Sequence, residues 1–431
     1  MTEVPLMSGF PSDPGLRVTL LNWQDPPFNR WSFQHLRELI PTQRIPVGQG
    51  PVRPLARHHT MLDPGAVTVH RVDERVSSLG DVLDETWTDA VVVVHDGRIV
   101  LERYYGAMTP QTVHLLMSVT KSVVGCVAGV LVDRGQLDPN HPVDLYVPEV
   151  TGSGYTGATV RDLLDMRTGV LFREEYTNPE AEVRVMERHM GWRPGLSPGY
   201  IGGMYAFLAS MSAVSVHGGP FVYRSADTDM LGWVCERAAG VRMADLISDL
   251  LWQRIGAEFE AEITCDGVGS AIHDGGMSAT ARDIARFGQM LLDDGYVAGM
   301  PVVPNRWLVH SRTLDPDIRG AFASSTSEAS LTGGWYRNQF WFVPGPVGDL
   351  QVCLGIHGQM VVVDRATRTV SVKMSSWPTA QSSSYLVDTI RAFAATGRHL
   401  AGLSGQGHDR TALTALTGPI GVVEGRERGH G

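Results

Sequence analysis

The sequence predicts an α/β protein of the α+β kind, with an antiparallel sheet flanked by helices and a helical subdomain inserted between two sheet-forming ends. Two observations carry this prediction. Short apolar, β-branched runs lie near residue 90 and again after residue 332, and helical patterns alternate with Gly- and Pro-rich loops between them. The 431 residues, 43% hydrophobic and 19% charged, can bury one large core or two coupled cores.

The chain divides into three parts by composition. Residues 1–85 are rich in Pro and Arg with only short apolar runs, which predicts an irregular arm wrapped on the body. The main domain is predicted over residues 86–400, with the helical subdomain at about 136–330. Residues 401–431 are rich in Gly and Arg, and we expect a flexible C-terminal tail.

The first regular elements are a hairpin and a buried helix. Residues 90–94 and 98–104 are apolar runs joined at Asp96-Gly97, a dipeptide that supplies positive φ in a tight turn. The run SVTKSVVGCVAGVLVDRG starts at Ser118, is apolar on nearly all sides and closes at Gly135, so it predicts a buried helix with a glycine stop.

The remaining helices and strands are predicted from the same apolar patterns and turn residues. Helices are predicted at 160–166, 227–239, 279–292 and 385–395, and strands at 335–343, 350–356, 359–364 and 369–375.

Composition also limits the partners. The net charge of -10 argues against a nucleic-acid partner, which would need clustered cations. No cationic and apolar leader and no run of about 18 apolar residues is visible, so we expect a cytoplasmic protein without a membrane partner. Scattered cysteines and the lack of HExxH or P-loop motifs lead us to expect buried thiols, no metal and no cofactor; the cysteines are Cys126, Cys235, Cys265 and Cys353.

Lysine is rare in this chain. Lys121 and Lys373 are the only two, and arginine supplies the other 34 of the 36 basic residues. Because a desolvated lysine can lose its proton and an arginine cannot, a lysine here suggests a place where an amine must become neutral.

Ser118-Val119-Thr120-Lys121 is the only SxxK in the sequence. It opens the buried helix, so both side chains project from one face about one turn apart, as a nucleophile and its base require. The helix N-terminus adds free N–H groups that stabilise an oxyanion. SxxK also arises by chance in many chains, but the rarity of lysine and the apolar helix favour a functional pair.

Three further motifs need weighing. Tyr223, just before a predicted helix, could relay protons, although most tyrosines at such junctions only pack. The GxSxG at 195–199 is rejected as a nucleophile elbow, because Pro198 has no N–H for the oxyanion hole. The GxGxxG at 152–157 follows no strand, so we interpret it as a loop.

These residues resemble the class C β-lactamase-like serine hydrolases, and within them most closely the 6-aminohexanoate-dimer hydrolases, which cleave nylon oligomers. The resemblance spans roughly residues 20–395. It rests on NWQDPPFNRW, HLLMSVTKS, REEYTNPEAEV, GWR, FVYRSADTD, DGGMSATARDIAR, GIHGQ and VKMSSWP. The fold it implies is the β-lactamase and penicillin-binding-protein fold.

The resemblance also implies site residues. Ser118 would be the acylated nucleophile, Lys121 its proton acceptor and Tyr223 the relay to the leaving group, with the N–H groups of Ser118 and Ile356 as the oxyanion hole. The substrate would be a small acyl compound, and a homodimer is left open. The substrate-binding positions would be Tyr176, Glu187, Trp192, Asp274 and His357.

Two departures from the family pattern narrow the range of expected substrates. Cys353-Leu354-Gly355 replaces the Lys-Thr-Gly of β-lactamases, which removes the cation for a β-lactam carboxylate. Ser225 replaces the Asn of Tyr-x-Asn. We therefore predict an amidase or esterase; the alternatives are a D-amino-acid peptidase or penicillin-recognising hydrolase and, from another class, a non-catalytic sensor on the same fold.

A cluster of acids suggests the substrate charge. Glu187 falls where the nylon-oligomer enzymes have an aspartate facing the substrate amine, and Asp274 where they have an asparagine. The loop expected over the cleft adds four glutamates, and we expect them to favour substrates with a free amine; they are Glu174, Glu175, Glu180 and Glu182.

Overall fold

The structure, a computed structural model, describes residues 5–195 and 202–402. Its strands are β1 (Thr42–Ile45), β2 (Thr68–His70), β3 (Val76–Ser78), β4 (Thr88–His95), β5 (Arg98–Tyr104), β6 (His114–Leu115), β7 (Ala261–Thr264), β8 (Met277–Ala279), β9 (Tyr296–Val297), β10 (Met300–Pro301), β11 (Trp335–Arg337), β12 (Phe340–Val343), β13 (Leu350–Gly355), β14 (Gln359–Asp364) and β15 (Thr369–Ser375). Its α-helices are α1 (Phe28–Ser32), α2 (Leu79–Glu85), α3 (Val119–Asp133), α4 (Val143–Tyr146), α5 (Val160–Leu164), α6 (Glu182–His189), α7 (Gly203–Ala209), α8 (Ser225–Ala239), α9 (Met243–Ile247), α10 (Ala281–Leu292), α11 (Asn305–Arg312), α12 (Pro316–Ala323) and α13 (Ser383–Leu400).

A seven-stranded antiparallel sheet joins the two sheet-forming ends of the chain. Its order is β11-β12-β13-β14-β15-β4-β5, so the early hairpin pairs with the last strand, with Val92 opposite Val372. The predicted turn is confirmed, because Asp96 and Gly97 have φ values of 46° and 74°. The sheet is therefore complete only when chain segments more than 200 residues apart meet.

Helices cover both faces of this sheet. α10 packs on β14 and β15 on one face, and α2 and α13 cover the other. Gly288 allows α10 to approach closely, since a Cβ there would lie 2.5 Å from Val370 Cγ1. α3, the predicted buried helix, contacts the sheet and α8 with most of its side chains out of solvent.

One predicted strand is divided in the structure. Residues 335–343 form two strands, β11 and β12, around a turn at Asn338 and Gln339 with φ values of 50° and 68°. The Gln339 amide donates to the carbonyl of Leu163 at 2.9 Å and accepts from Thr228 at 2.7 Å. These tertiary bonds hold a left-handed turn that the apolar sequence does not indicate.

A second sheet lies outside the predicted strands. Its order is β1-β7-β8-β6, and it joins the arm to the segment predicted as helical. β7 alternates apolar and polar residues over only four positions, too few to mark a strand between helical patterns, and all four are buried. The arm is correspondingly less irregular than predicted, with Trp23 and Phe33 in the main core.

Two smaller expectations are confirmed, the loop at 152–157 and the buried cysteines. The 152–157 motif is a loop after a 3-10 helix, Pro148–Val150, as predicted. Residues 196–199 of the GxSxG motif and 403–431 of the tail lie outside the described residues. All four cysteines are free and buried. Within residues 5–195 and 202–402, no helix combines the length and apolar character needed to cross a membrane.

Candidate active site

Ser118 lies where β6 turns into α3. It occupies the N-cap of that helix and is 8% exposed. The residue before it, Met117, has a φ of 47°, a left-handed conformation that is uncommon for a side chain of this size. The sharp turn places Ser118 Oγ at the positive end of a 15-residue helix, where developing negative charge is stabilised.

Lys121 lies one helical turn after Ser118 and is 1% exposed. Its Nζ donates to Ser118 Oγ at 2.8 Å, to Ser225 Oγ at 3.0 Å and to the carbonyl of Asp274 at 2.7 Å. The Asp274 carboxylate lies 3.7 Å from the same nitrogen. The SxxK residues are thus in direct contact, and three acceptors surround the amine.

Tyr223 lies on the other side of the pair. The Lys121 ammonium sits 5.2 Å from its ring centroid, and its phenol interacts with the side chains of both Ser118 and Lys121. Its ring packs against Trp341 at 5.2 Å. Tyr223, Ser118 and Lys121 therefore form one cluster.

The charges in this cluster oppose one another. Burial alone lowers the pKa of Lys121, but the acidic groups of Tyr223, Asp274 and Glu174 outweigh it and raise that pKa. Burial raises the pKa of Tyr223 more than Lys121 lowers it. At neutral pH the resting site therefore holds a charged lysine beside a neutral phenol.

Ser225 and Glu174 complete the surroundings of the amine. The Ser225 hydroxyl donates to Glu174 Oε1 at 2.7 Å, and its N–H donates to Oε2 at 3.0 Å. Tyr176 donates its hydroxyl to the same carboxylate at 2.6 Å. Because the Ser225 hydroxyl directs its proton at Glu174, its oxygen can only accept the hydrogen bond that Lys121 donates. From the sequence, Glu174 was expected in an acidic loop over the cleft, and Ser225 was noted only as the replacement for the Asn of Tyr-x-Asn.

Asp229 was missed altogether. It follows Ser225 by one turn on α8, is buried, and accepts the backbone N–H groups of His273 at 2.8 Å and Asp274 at 3.1 Å. It thereby fixes the segment whose carbonyl holds Lys121. The i, i+4 spacing from Ser225 was the one available signal.

The end of β13 passes close to the nucleophile. A Cβ at Gly355 would lie 2.6 Å from the carbonyl oxygen of Leu116, so glycine permits this approach. The next residue, Ile356, lines the same cavity as Ser118. Ile356 is therefore close to the nucleophile, and its oxyanion-hole role stays a prediction.

His357 does not meet its predicted position. It is not among the residues that line the cavity, and its Nδ1 pairs with the carbonyl of Trp377 at 2.8 Å while its ring packs on Phe33. Burial lowers its pKa to about 4. His357 is therefore a neutral packing residue that turns the chain in a left-handed conformation, φ 59°.

The cavity beside Ser118 is small and mostly apolar. Its volume is about 20 Å³, enough for roughly one water molecule. The lining residues are Met117, Ser118, Tyr176, Val183, Met186, Glu187, Met190, Trp192, Asp274, Gly275 and Ile356, which include four of the five predicted substrate-binding positions.

Glu187 is not the free carboxylate that the sequence suggested. It is 3% exposed and forms ion pairs with Arg184 at 2.6 Å and Arg193 at 2.5 Å. The expected group of five open carboxylates is also wrong, because Arg173 pairs with Glu182 at 2.7 Å and Glu174 faces Ser225 and Tyr176.

The second lysine lies apart from this site. Lys373 is 1% exposed on β15, where its Nζ donates to the carbonyl of Thr86 at 3.0 Å and to Ser375 Oγ. Burial lowers its pKa to about 7. Of the two lysines, the one with the depressed pKa is thus outside the site.

Comparison with known proteins agrees with this geometry. The beta-lactamase family model matches residues 81–395, and the chain belongs to this family of serine hydrolases. It is 37% identical over 387 residues to a 6-aminohexanoate-dimer hydrolase of Paenarthrobacter ureafaciens, covering 88% of this chain and 94% of that protein.

Solved structures give the same result for the fold. A candidate 6-aminohexanoate-dimer hydrolase from Bacillus anthracis has a TM-score of 0.79 at 26% identity, covering 90% of this chain and 98% of that one. A hydrolase with promiscuous acyltransferase activity has a TM-score of 0.58 at 17% identity, covering 73% of this chain and 96% of that one. The predicted β-lactamase fold and the amide or ester hydrolase class are confirmed.

Proposed function

We propose that this protein cleaves small linear esters or amides through an acyl-enzyme on Ser118. Ser118 Oγ attacks the carbonyl carbon while its proton passes to Lys121, and Tyr223 delivers a proton to the leaving alcohol or amine. Water then attacks the acyl-enzyme, which releases the carboxylic acid and restores the serine. The N–H groups of Ser118 and Ile356 stabilise the oxyanion in both steps.

The hydrogen bonds of Lys121 carry this proposal. A neutral amine has two N–H groups and one lone pair, and Ser225 Oγ and the Asp274 carbonyl accept two N–H bonds. The lone pair is then left for the hydroxyl of Ser118, 2.8 Å away. The raised pKa of Lys121 means that this neutral form is the minor one at neutral pH, so turnover should rise with pH.

The strand beside the site argues against a β-lactam. Cys353 is fully buried, and burial raises the pKa of its thiol to about 12, so it offers no charge to a substrate carboxylate. Leu354 is apolar and also offers none. The name of the Paenarthrobacter relative points to linear amides of 6-aminohexanoate, and we include its substrate among those to test.

The test is turnover of four substrates by the wild type and Ser118→Ala. These are a nitrophenyl ester, the 6-aminohexanoate dimer, a D-alanyl peptide and nitrocefin. We expect hydrolysis of the ester or the linear amide, none of nitrocefin, and a loss of several orders of magnitude in the variant. Turnover of nitrocefin alone, or ester turnover by Ser118→Ala within about tenfold of wild type, would overturn the proposal.

A further inference from the structure

Two arginines surround the acid that forms one wall of the cavity. Arg184 Nη1 donates to both oxygens of Glu187, at 2.9 and 2.6 Å, and Arg193 Nε donates to Oε2 at 2.5 Å. Gln24 adds a weaker contact at 3.3 Å. Both oxygens of Glu187 thus already accept charge-assisted hydrogen bonds.

The charge at this wall is positive. One carboxylate faces two guanidinium groups, which leaves an excess of one positive charge. The nearby pair of Arg173 and Glu182 is balanced within itself. The arginine side chains are only 14% and 28% exposed, so water screens them incompletely.

Among the residues that the structure describes, the other acid that lines the cavity is also matched with a cation. Asp274 lies 3.7 Å from Lys121 Nζ. A substrate ammonium at Asp274 would compete with the catalytic lysine, and one at Glu187 would have to displace an arginine or lie beside two of them. At Glu187 a buried cation would lose its hydration without gaining a free carboxylate oxygen. At Asp274 it would meet Oδ1, which has no hydrogen-bond partner among the described residues, but it would lie beside the Lys121 ammonium.

The rest of the wall is apolar. Val183 and Met186 of α6 line the cavity with Met190 and Trp192, and the same helix carries Arg184 and Glu187. Such a surface favours an acyl chain without charge, since burying its methylene groups is favourable.

We propose that Arg184 and Arg193, by occupying Glu187, restrict this enzyme to acyl groups whose far end carries no positive charge. This inference rests on the proposed function. It reverses the expectation drawn from the acidic sequence alone, and it sets this enzyme apart from its relative named for an amino-terminated substrate.

The experiment compares three nitrophenyl esters of equal acyl length that end in a methyl, an amino or a carboxylate group. For the wild type we expect kcat/KM for the methyl ester to exceed that for the amino ester by at least about tenfold, the cost of burying an ill-matched cation. The carboxylate ester should rank between them, because it meets the positive wall but loses its hydration.

Arg184→Gln should remove the excess charge. We expect the amino-to-methyl ratio of kcat/KM to rise by about tenfold, as one charge interaction near a partly buried site is worth about that much. Both rates come from one protein preparation, so a partly misfolded variant would leave the ratio unaffected. Arg188→Gln is the matched control: it removes the same charge from α6, but Arg188 makes none of the bonds to Glu187 described above, and its ratio should stay at the wild-type value.

Three results would overturn the inference. They are an amino ester hydrolysed as well as the methyl ester by the wild type, a carboxylate ester ranked below the amino ester, and an unchanged or lower ratio in Arg184→Gln. Failure of the proposed function would be distinct, because then none of the three esters would be turned over through Ser118.

Discussion

Lys121 decides the chemistry at the scale of the single residue. Its three acceptors match the three N–H groups of a charged amine. Two of them, Ser225 Oγ and the Asp274 carbonyl, also match the two N–H groups of a neutral amine. An arginine in its place would keep the charge and lose the ability to accept a proton, since its pKa exceeds about 12.

We therefore expect Lys121→Arg to lower kcat by several orders of magnitude, as far as Lys121→Ala does. Steady-state ester hydrolysis with both variants checks this, and circular dichroism confirms their folding. An arginine variant that retains more than about a tenth of the wild-type rate would show that the site needs only a cation.

Asp274 tunes that lysine through its charge. Its carboxylate raises the pKa of Lys121, whereas its backbone carbonyl holds the amine in place. Asp274→Asn removes only the charge. The pKa of Lys121 should fall, and the rising limb of the pH profile of kcat/KM should move to lower pH by about one unit. If the rising part of the kcat/KM profile stays in place or moves to higher pH, a group other than Lys121 governs the pH dependence.

At the scale of the elements, α8 links Lys121 to the segment that contains Asp274. Ser225 and Asp229 lie one turn apart on this helix, and they contact Lys121 and the 273–274 backbone respectively. Burial raises the pKa of Asp229 well above its usual range, although this side chain still accepts two backbone N–H bonds. Asp229 is a positioning residue in this account.

An asparagine should replace Asp229 closely, because its amide oxygen can still accept both N–H groups. We expect Asp229→Asn to keep kcat within a few-fold of wild type, and Asp229→Leu to lose about a hundredfold through displacement of the Asp274 carbonyl, with KM little changed. If Asn is as damaging as Leu, the charge of Asp229 matters and the positioning role is wrong.

The elements that the sequence predicted are those with a local signal. The helix after Ser118 and the hairpin at Asp96-Gly97 follow from apolar pattern and turn chemistry. β7 was missed because its alternating pattern covers only four residues, and the turn at Asn338 was missed because tertiary hydrogen bonds hold it.

The same distinction applies to the site. Ser118 and Lys121 are local to one helix turn, so the motif predicts their contact. The bonds from Asp229 to residues 273 and 274 join distant parts of the chain, and no local pattern shows them. Arg184, three residues before Glu187, was a visible i, i+3 pair that would have argued against a free carboxylate.

At the scale of the whole molecule, Lys373 couples stability to pH. Burial lowers its pKa in the folded protein to about 7, against about 10.4 in an unfolded chain. Between these values the unfolded state binds the extra proton, so the free energy of unfolding rises with pH by up to about 1.4 kcal/mol per unit. Below pH 7 the folded protein bears the full cost of burying a charged Lys373, and above about pH 10.4 this cost vanishes because the amine is neutral in both states.

Lys373→Met should remove this slope. Urea unfolding at pH 7.5, 8.5 and 9.5 would show the free energy of unfolding rising more steeply in the wild type than in the variant. The comparison of slopes is independent of the hydrogen bonds lost from Thr86 and Ser375, which shift the variant equally at each pH. Parallel slopes would mean that Lys373 is charged in the folded protein.

The covalent state of Ser118 tests the central claim most directly. The wild type and Ser118→Ala are mixed with a fluorophosphonate, and intact mass and peptide mass spectrometry locate the adduct. We predict one adduct per chain, on the peptide that contains Ser118, and none in the variant. An adduct on another residue, or an equal adduct in Ser118→Ala, would contradict the account.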